Sequence, residues 1–514
     1  MKNKISFKES NILSKLSSDY LSNPDSFGEF ITAEPSIANF ENQIKQKQSV
    51  NRQVLHKVLM EQNASSHPNS IKNIELIKEE NTFTVTTGHQ ICLYTGPLYS
   101  IYKIVSIINL ATELKKQYNN YNFVPVFWMA TEDHDFEEIN HVNLSSGKIS
   151  WNTNQKGPVG RFSTEDIGPF LEAVQENVSS EFAKTISGFY TKSKDLAEAH
   201  RLMIDYIFGE YGVVIIDADN RELKKEMIPI FKNELLTNDT FNAVEELSEK
   251  LIERGYKKQV NPREINIFYQ EDGLRERIVK NGDQFEIVNT ELSFSEEEIM
   301  KELEEYPEKF SPNVVMRPMY EEKILPNLAY IGGPGEIAYW LQLKDGFAVN
   351  HIDFPILVIR NSVLLVEEKT TKKMAKLPFE AVDYFKHEDE LIKAYINKVS
   401  DVSFEDEIKS LEEVFAITKE KAVEVDFSLE RTVIAELKRA QNSINKIKKK
   451  VTKAEKNNNS IAVNQIQYVK NAFFPNHSFQ ERHKNIIEFY NPNLIKNLVN
   501  DLIILEDNIT LISL

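Results

Sequence analysis

The sequence predicts an α/β fold: a parallel-sheet core with connecting insertions, followed by a C-terminal helical coiled-coil domain. Three observations lead there. The apolar runs FTVTT (83–87), FVPVFWMA (123–130) and YGVVIIDADN (211–220) read as buried strands that end in polar residues. The first two are linked by LYSIYKIVSIINLATELKK, whose apolar residues recur with a helical period, and strands joined by such a crossover lie parallel. Beyond about residue 370, strand-like runs almost vanish and helical spacing takes over.

At 514 residues the chain is long enough for about two to four structural units, and its 41% hydrophobic content supports a sizeable core. Lys and Arg number 61 against 78 Asp and Glu, a formal charge of -17. That sign argues against a nucleic-acid or anionic-membrane surface as a general partner, since both are polyanions. Cys92 is the only cysteine, so no intramolecular disulfide is possible, which fits a reducing cytoplasm. The first twenty residues lack the apolar core and cleavage site expected of a signal peptide, and no apolar run approaches the length of a membrane span.

Residues 1–80 are expected to be mostly helix and loop, with helical spacing through Ile37, Phe40, Ile44, Val50 and Leu55. The core is placed at 81–368, where Gly88-His89-Gln90 breaks the first strand and Pro97 stands where the crossover helix begins. HVNLSSGKISWN (141–152) reads as a hairpin turning at Ser145-Ser146-Gly147, and opens an insertion of helices that extends to about 208. A second insertion, at about 256–308, alternates with period two around the hairpin signals Glu271-Asp272-Gly273 and Asn281-Gly282-Asp283. The chain then returns to the main sheet through VVMRPMYEEKILPNLAYIGGPGEIAYW and FPILVIRNSVLLVEE.

Between 369 and 472, Phe404, Ile408, Leu411 and Phe415 are followed by Val433, Leu437, Ala440, Ile444, Ile447, Val451 and Ala454. Steps of three and four residues give the 3.5-residue period of a coiled-coil seam. The seam closes within one chain as an antiparallel hairpin or between two subunits; an ordinary amphipathic helix on the core is the third reading. Asn457-Asn458-Asn459-Ser460 breaks it, and 473–514 is expected to pack back on the core.

The chemistry is carried by polar clusters at strand ends, where ligands bind in open parallel sheets. Glu132, Asp133, His134, Asp135 and Glu137 would be a costly way to finish a buried strand for stability alone, which favours a functional reading. His134 between Asp133 and Asp135 can act as an oriented base, or can join His141 in holding a metal. His89 either stabilises charge on a transferring group or only caps the helix; backbone N–H groups at the helix start, with Gly88 and Gly96 permitting close approach, would form an anion cradle. Cys92, between Ile91 and Leu93, reads as a small buried residue in preference to a nucleophile. Ile331-Gly332-Gly333-Pro334-Gly335-Glu336 matches neither the phosphate-loop nor the dinucleotide spacing, yet a tight loop feeding a helix can hold an anion, with Glu336 reaching a substrate amine. Tyr339 and Trp340 read as packing residues. Arg317 and Arg360 lie in apolar strand-like runs and need an anionic partner from protein or ligand. FFPNHSFQERHKN (473–485) offers a second nucleotide-facing loop.

Taken together, GHQICLYTGPLYSIYKI, VPVFWMATEDHDFEEINHV, RPMYEEKILPNLAYIGGPGEIAYWLQL and FFPNHSFQER resemble the cysteine ligase family of bacillithiol biosynthesis, with the blocks in the expected order from 88 to 482. The resemblance implies a Rossmann-like core related to class I aminoacyl-tRNA synthetases, with a coiled-coil domain able to form a homodimer. It implies cysteine and glucosaminyl-malate as small-molecule substrates, joined through a carbon–nitrogen bond in the last step of that pathway, with ATP activating the carboxylate. For such a ligation the residue chemistry read above gives catalytic roles to His89, Asp133, His134 and Asp135. Substrate- or nucleotide-binding roles fall to Thr87, Gly88, Gln90, Thr95, Gly96, Lys103, Asn140, His141, Arg317, Gly332, Gly333, Gly335, Glu336, Arg360, Asn476, Gln480 and Arg482, and no residue is assigned to a metal. The Thr87–Gln90 loop lies where class I synthetases place their first nucleotide-binding signature, but there is no HIGH tetrapeptide. Thr370-Thr371-Lys372-Lys373-Met374 stands poorly for a KMSKS loop, and a thiolate zinc site cannot be built from Cys92 alone. Two other readings are a metal-assisted hydrolase or transferase using the Glu132–Asp135 cluster and a coiled-coil scaffold whose core senses a nucleotide.

Overall fold

A sheet of five parallel strands organises the larger part of the chain. The computed structural model describes residues 4–400 and 403–514, so the first three residues of the 1–80 segment fall outside it. The described chain divides into two units, one of Ser6–Leu364 with Ser478–Leu511, the other of Met1–Ile5, Leu365–His477 and Ile512–Leu514.

The strands of the larger unit's main sheet and its insertions are β1 (Thr82–His89), β2 (Asn122–Met129), β3 (His141–Leu144), β4 (Gly147–Ser150), β5 (Val214–Asp217), β6 (Ile267–Glu271), β7 (Leu274–Asn281), β8 (Gln284–Ile287), β9 (Ser293–Ser295), β10 (Phe310–Pro312), β11 (Asn327–Gly332) and β12 (Ile356–Ile359). The main sheet has the order β12-β11-β1-β2-β5. β1 and β2 pair in register from Thr82 opposite Asn122 to His89 opposite Met129. Every residue of β1 is buried, as a strand covered on both faces requires. Its threonines keep their polar atoms satisfied: Thr84 and Thr86 donate to Asn327 Oδ1 at 3.2 and 2.9 Å, and Thr87 to the Ile331 carbonyl at 2.7 Å.

Helix α1 (Tyr99–Gln117) is the crossover from β1 to β2 and buries Ile101, Ile104, Val105 and Ile108. From β1 the chain steps outward through β2 to β5, whereas β11 and β12 add on the other side. β1 therefore sits where the strand order reverses, and a crevice opens beyond the carboxyl ends of β1 and β11. The insertions take the predicted forms. β3 and β4 make the hairpin, three helices occupy Gly168–Asn177, Glu181–Lys192 and Leu196–Phe208, and a second sheet has the antiparallel order β9-β8-β7-β6-β10.

Three expectations change. The continuous helical spacing from Ile37 to Leu55 is cut by an extended stretch between α-helices Phe40–Gln46 and Arg52–Gln62, with Asn51 capping the second. Arg317 is not in a strand but opens helix α3 (Phe136–Ile139 being α2, Arg317–Ile324 α3, and Pro334–Trp340 α4), with Pro318 in the first turn. Of FPILVIRNSVLLVEE only Ile356–Ile359 joins the main sheet, and Ser362–Val366 is a strand outside it. The chain turns at Arg360 and Asn361 because both side chains are held inward, Asn361 by Ser106 and Arg360 by Glu481.

The smaller unit is helical between its α5 (Glu405–Val425), α6 (Leu429–Asn458) and α7 (Ser460–Phe473). Gln441 reaches Glu412 at 2.8 Å and Lys419 reaches Glu430 at 3.4 Å, so α5 and α6 run antiparallel. Phe404, Ile408, Leu411 and Phe415 and the facing Val433, Leu437, Ala440 and Ile444 are half-buried, while Ile447 stays exposed. The predicted break falls between α6 and α7, and α7 buries Ile466, Val469 and Phe473. Among the described residues no helix is long and apolar enough to cross a membrane.

Candidate active site

A cavity of about 720 Å³ occupies the crevice of the larger unit. The ends of β1 and β2, helices α1 and α4, the antiparallel insertion and Arg482 line it. Both polar clusters seen in the sequence reach this one space, since His89, Gln90, Asp133 and His134 are all on its wall.

The floor is built from ion pairs internal to the protein. Lys103, buried on α1, donates to the Gly88 carbonyl at 2.7 Å and meets Glu336 of α4 at 2.6 Å. Glu336 also accepts from the Gly333 N–H at 2.8 Å and the Tyr330 hydroxyl at 3.0 Å. Burial alone would raise its carboxyl, but Lys103 and these two donors together hold it below the ordinary value. Glu336 is thus engaged on both oxygens, which corrects the expectation that it reaches freely for a substrate amine. The arginines expected to seek an anion both find one in the protein. Arg317 donates to Glu321 at 2.7 Å, and Arg360 grips Glu481 at 2.7 and 3.1 Å.

His89 is buried, packed edge-on to Tyr99, and its Nε2 lies 4.0 Å from the Cys92 sulfur. Burial, with Lys103, His200 and Arg360 nearby, pulls its pKa well below the ordinary histidine value. Its imidazole is therefore neutral at working pH, able to donate one N–H but not to bring a positive charge. Burial pushes the Cys92 thiol up to about 12, so it is no nucleophile. The anion cradle expected at the start of α1 is closed. The Leu98 N–H donates to the Lys484 carbonyl at 2.8 Å, and Asn485 donates to the carbonyls of Tyr94 and Gly96. Gly96, at φ +68°, makes room for Cys92, whose Cβ would lie 2.6 Å from an added methyl, and not for a ligand. Gly88 does border the cavity.

In the acidic cluster Asp133, Asp135 and Glu132 have separate tasks. Asp133 accepts from Gln90 at 2.5 Å and from the backbone N–H of His134 at 2.7 Å. Burial raises its carboxyl, but Arg275, Gln90 and the backbone donors outweigh that and keep it ionised below the usual range. Asp135 caps α2 through the Glu138 N–H at 3.3 Å and is not on the wall. Glu132 pairs with the buried Lys224. The expected carboxylate orienter of the His134 ring is replaced by a cation: Arg275 Nη1 donates to His134 Nδ1 at 2.8 Å, whereas Asp133 Oδ1 lies 3.9 Å away. Glu138 opens onto the cavity, and burial together with Asp133, Asp135 and Glu336 raises its carboxyl.

Several residues assigned from the sequence lie elsewhere. Thr87 and Gly332 are buried within the sheet, Thr95 and Gly96 within the closed loop, and Gln480 in the interior. Asn140 and His141 contact one another at 3.2 Å where β3 begins, away from the cavity. Asn476 belongs to the smaller unit. Gly333, Gly335, Arg360 and Arg482 do line the wall, as does Tyr339, while Trp340 stacks on Tyr330 in the core. Among the described residues no three His, Cys, Asp or Glu side chains gather as a metal-ligand set.

Sequence reasoning passed over the arginines of the insertion. Lys103, Arg263, Arg275, Arg277, Arg317, Arg360 and Arg482 line the cavity against the acids Glu132, Asp133, Glu138 and Glu336. Arg263, Arg277 and Arg482 are exposed and, among the described residues, pair with no carboxylate. Arg275 and Arg277, two apart on β7, share one face of that strand, a period-two signal present in LRERIV.

Two family descriptions cover the chain. "Bacillithiol biosynthesis BshC, N-terminal Rossmann-like domain" matches residues 1–361, and "Bacillithiol biosynthesis BshC, C-terminal coiled-coil domain" matches 363–514. The chain belongs to the BshC family. Curated relatives named "Putative cysteine ligase BshC" include one from Flavobacterium johnsoniae, 44% identical over 99% of both chains, and one from Christiangramia forsetii, 39% identical over 99% of both. Another, from Flavobacterium psychrophilum, is 43% identical over 95% of this chain and 94% of its own. A solved structure described as a putative arginyl-tRNA synthetase from Campylobacter jejuni covers 84% of this chain and 93% of its own. At 12% identity and a TM-score of 0.20 it carries no argument. The Rossmann-like core and coiled coil expected from the sequence are thus the two domains of a BshC protein.

Proposed function

We propose that this protein is a cysteine ligase of bacillithiol biosynthesis, forming the amide between the cysteine carboxyl group and the amino group of glucosaminyl-malate with ATP. The observation that carries the reading is the cationic excess of a cavity at the switch point of a BshC core, with three guanidinium groups unpaired. Both acceptor and nucleotide are anionic, and exposed, unpaired arginines suit carboxylate and phosphate oxygens. Arg263, Arg277 and Arg482 are therefore assigned to these anions in place of Arg317 and Arg360, which hold protein acids.

A free carboxylate lacks a leaving group, and ATP supplies it. In the joining step the amine nitrogen bonds to the carbonyl carbon, the activated C–O bond breaks to release AMP from an acyl-adenylate or phosphate from an acyl-phosphate, and the nitrogen loses a proton. We assign that proton to Glu138, a wall carboxylate whose raised affinity for protons suits a base. Gln90 and Lys103 hold the surrounding acids in place. We further propose a homodimer through α5 and α6, supported by Val414, Ile417, Ile434 and Ile447, each more than half exposed on that hairpin. A cytoplasmic site of action fits the single cysteine. The purified protein incubated with cysteine, glucosaminyl-malate and ATP should yield the thiol product, seen by mass spectrometry only when all three are present. Binding of all three without product would refute the reading.

A further inference from the structure

We infer that Arg275 is a positioning residue that fixes the His134 imidazole as a hydrogen-bond donor to anionic oxygen in the cavity. Arg275 reaches from β7 with only 6% of its side chain exposed. Its Nε donates to Ser311 Oγ at 3.1 Å, its Nη2 to the Pro312 carbonyl at 3.1 Å, and the guanidinium lies 4.1 Å from the Phe268 ring centre. These contacts leave Nη1 aimed at His134 Nδ1 at 2.8 Å. His134 is held from its own side by the Asp133 carboxylate on its backbone N–H and by Phe268 against its ring, at 5.5 Å between centroids.

A guanidinium has five N–H donors and no lone pair to offer. Nδ1 must therefore supply the lone pair, and the ring proton stands on Nε2. Nδ1 is turned inward to Arg275, so Nε2 is the nitrogen left for a ligand on a side chain that is 45% exposed and on the cavity wall. A base needs a free ring lone pair at the ligand, and this arrangement presents an N–H instead. His134 thus acts on negative charge: a carboxylate or phosphoryl oxygen of a bound substrate, or the oxygen that gains charge at an attacked carbonyl. The core supplies the histidine and the insertion supplies the group that sets its tautomer. That the oxygen belongs to a ligation substrate rests on the function proposed above; the tautomer does not.

The test has two arms. In protein labelled with ¹⁵N-histidine, the His134 signals are assigned by their loss in His134→Gln. They should show Nε2 protonated and Nδ1 bare at neutral pH, and Arg275→Met should remove that single-tautomer signature. A parent ring with its proton on Nδ1 overturns the proposal, whatever the reaction. In the ligation assay, His134→Ala should lower kcat by roughly 10²–10³, while His134→Gln, which keeps an N–H donor, should recover part of the loss. Arg275→Met should lower kcat at least tenfold and add nothing to His134→Ala, and Arg275→Lys should recover part. Additive losses in the double variant overturn the positioning role. Unchanged melting temperatures in His134→Gln and Arg275→Lys separate these effects from misfolding. If the parent makes no amide, the ligase reading fails while the labelled protein still decides the tautomer.

Discussion

Replacing Lys103 with methionine tests the ion-paired floor of the cavity. The side chain is 1% exposed and lies 2.6 Å from a Glu336 carboxylate that keeps 29% of its side-chain surface open. Breaking a buried pair by removing one partner costs about 3–5 kcal/mol, because the remaining charge is stranded. Here Glu336 retains the Gly333 N–H and the Tyr330 hydroxyl and some solvent, so the cost falls to about 2–3 kcal/mol. Across a unit of this size that is roughly a 3 °C fall in Tm by calorimetry. The pH dependence has a definite sign. In the parent the Glu336 carboxyl lies below its unfolded value of 4.5, so its stabilisation is present above about pH 4.5 and lost as pH falls through the folded pKa. Without Lys103 the buried carboxyl rises, and the variant's deficit is fully present at pH 7 and shrinks on acidification as the stranded charge is neutralised. A deficit under about 1 kcal/mol, or one unchanged between pH 7 and 4, would refute the reasoning.

Arg263→Ala, Arg277→Ala and Arg482→Ala should each raise KM for the anionic substrate about 5–30-fold, the cost of about 1–2 kcal/mol per charge-assisted contact, with Tm unchanged. KM values equal to the parent's in all three would remove the rim from substrate binding. His200 is buried against Phe127 with neither ring nitrogen hydrogen-bonded among the described residues, and burial pulls its pKa to about 3. The unfolded chain takes up a proton from about pH 6.5 downward and the folded one does not until about 3, so this residue alone removes about 2 kcal/mol of stability between pH 6.5 and 5. His200→Phe should flatten that limb in denaturant melts, and an unaltered limb would assign it to other groups. Ile417→Glu with Ile447→Glu should turn a dimer into a monomer by light scattering while the helical signal is kept; a parent that is monomeric at micromolar concentration rejects the dimer.

The fold was legible where covalent order and burial point the same way. β1 and β2 are covered on both faces, so their sequences are continuous apolar runs, and α1 between them leaves a parallel pairing as the only simple connection. The break at Asn457–Ser460 was legible because polar residues interrupt a strict seam. The turn at Arg360 was not, since FPILVIRNSVLLV is apolar on both sides and the partners that stop the strand are remote in sequence, Ser106 for Asn361 and Glu481, 121 residues later, for Arg360. The same distance problem governs the site. Gly96 reads equally well as an opening for phosphate and as space for Cys92, and the choice is made by Lys484 and Asn485, which close the loop from the far end of the chain. His134 sits among carboxylates in the sequence, yet its ring partner is Arg275, 141 residues away.

A division of charge follows from these long-range partners. The chain carries a net charge of -17, but the cavity does not share that sign. On the core side, Lys103, Arg317 and Arg360 are each matched to an acid, so the floor is close to neutral. The positive field that an anion meets comes from Arg263 and Arg277 of the insertion and from Arg482, all of them exposed. Paired ions that hold a floor in place lose stability when cut, whereas unpaired ions on a rim lose affinity. Neutralising one group from each class in the same protein therefore separates what keeps the crevice open from what fills it.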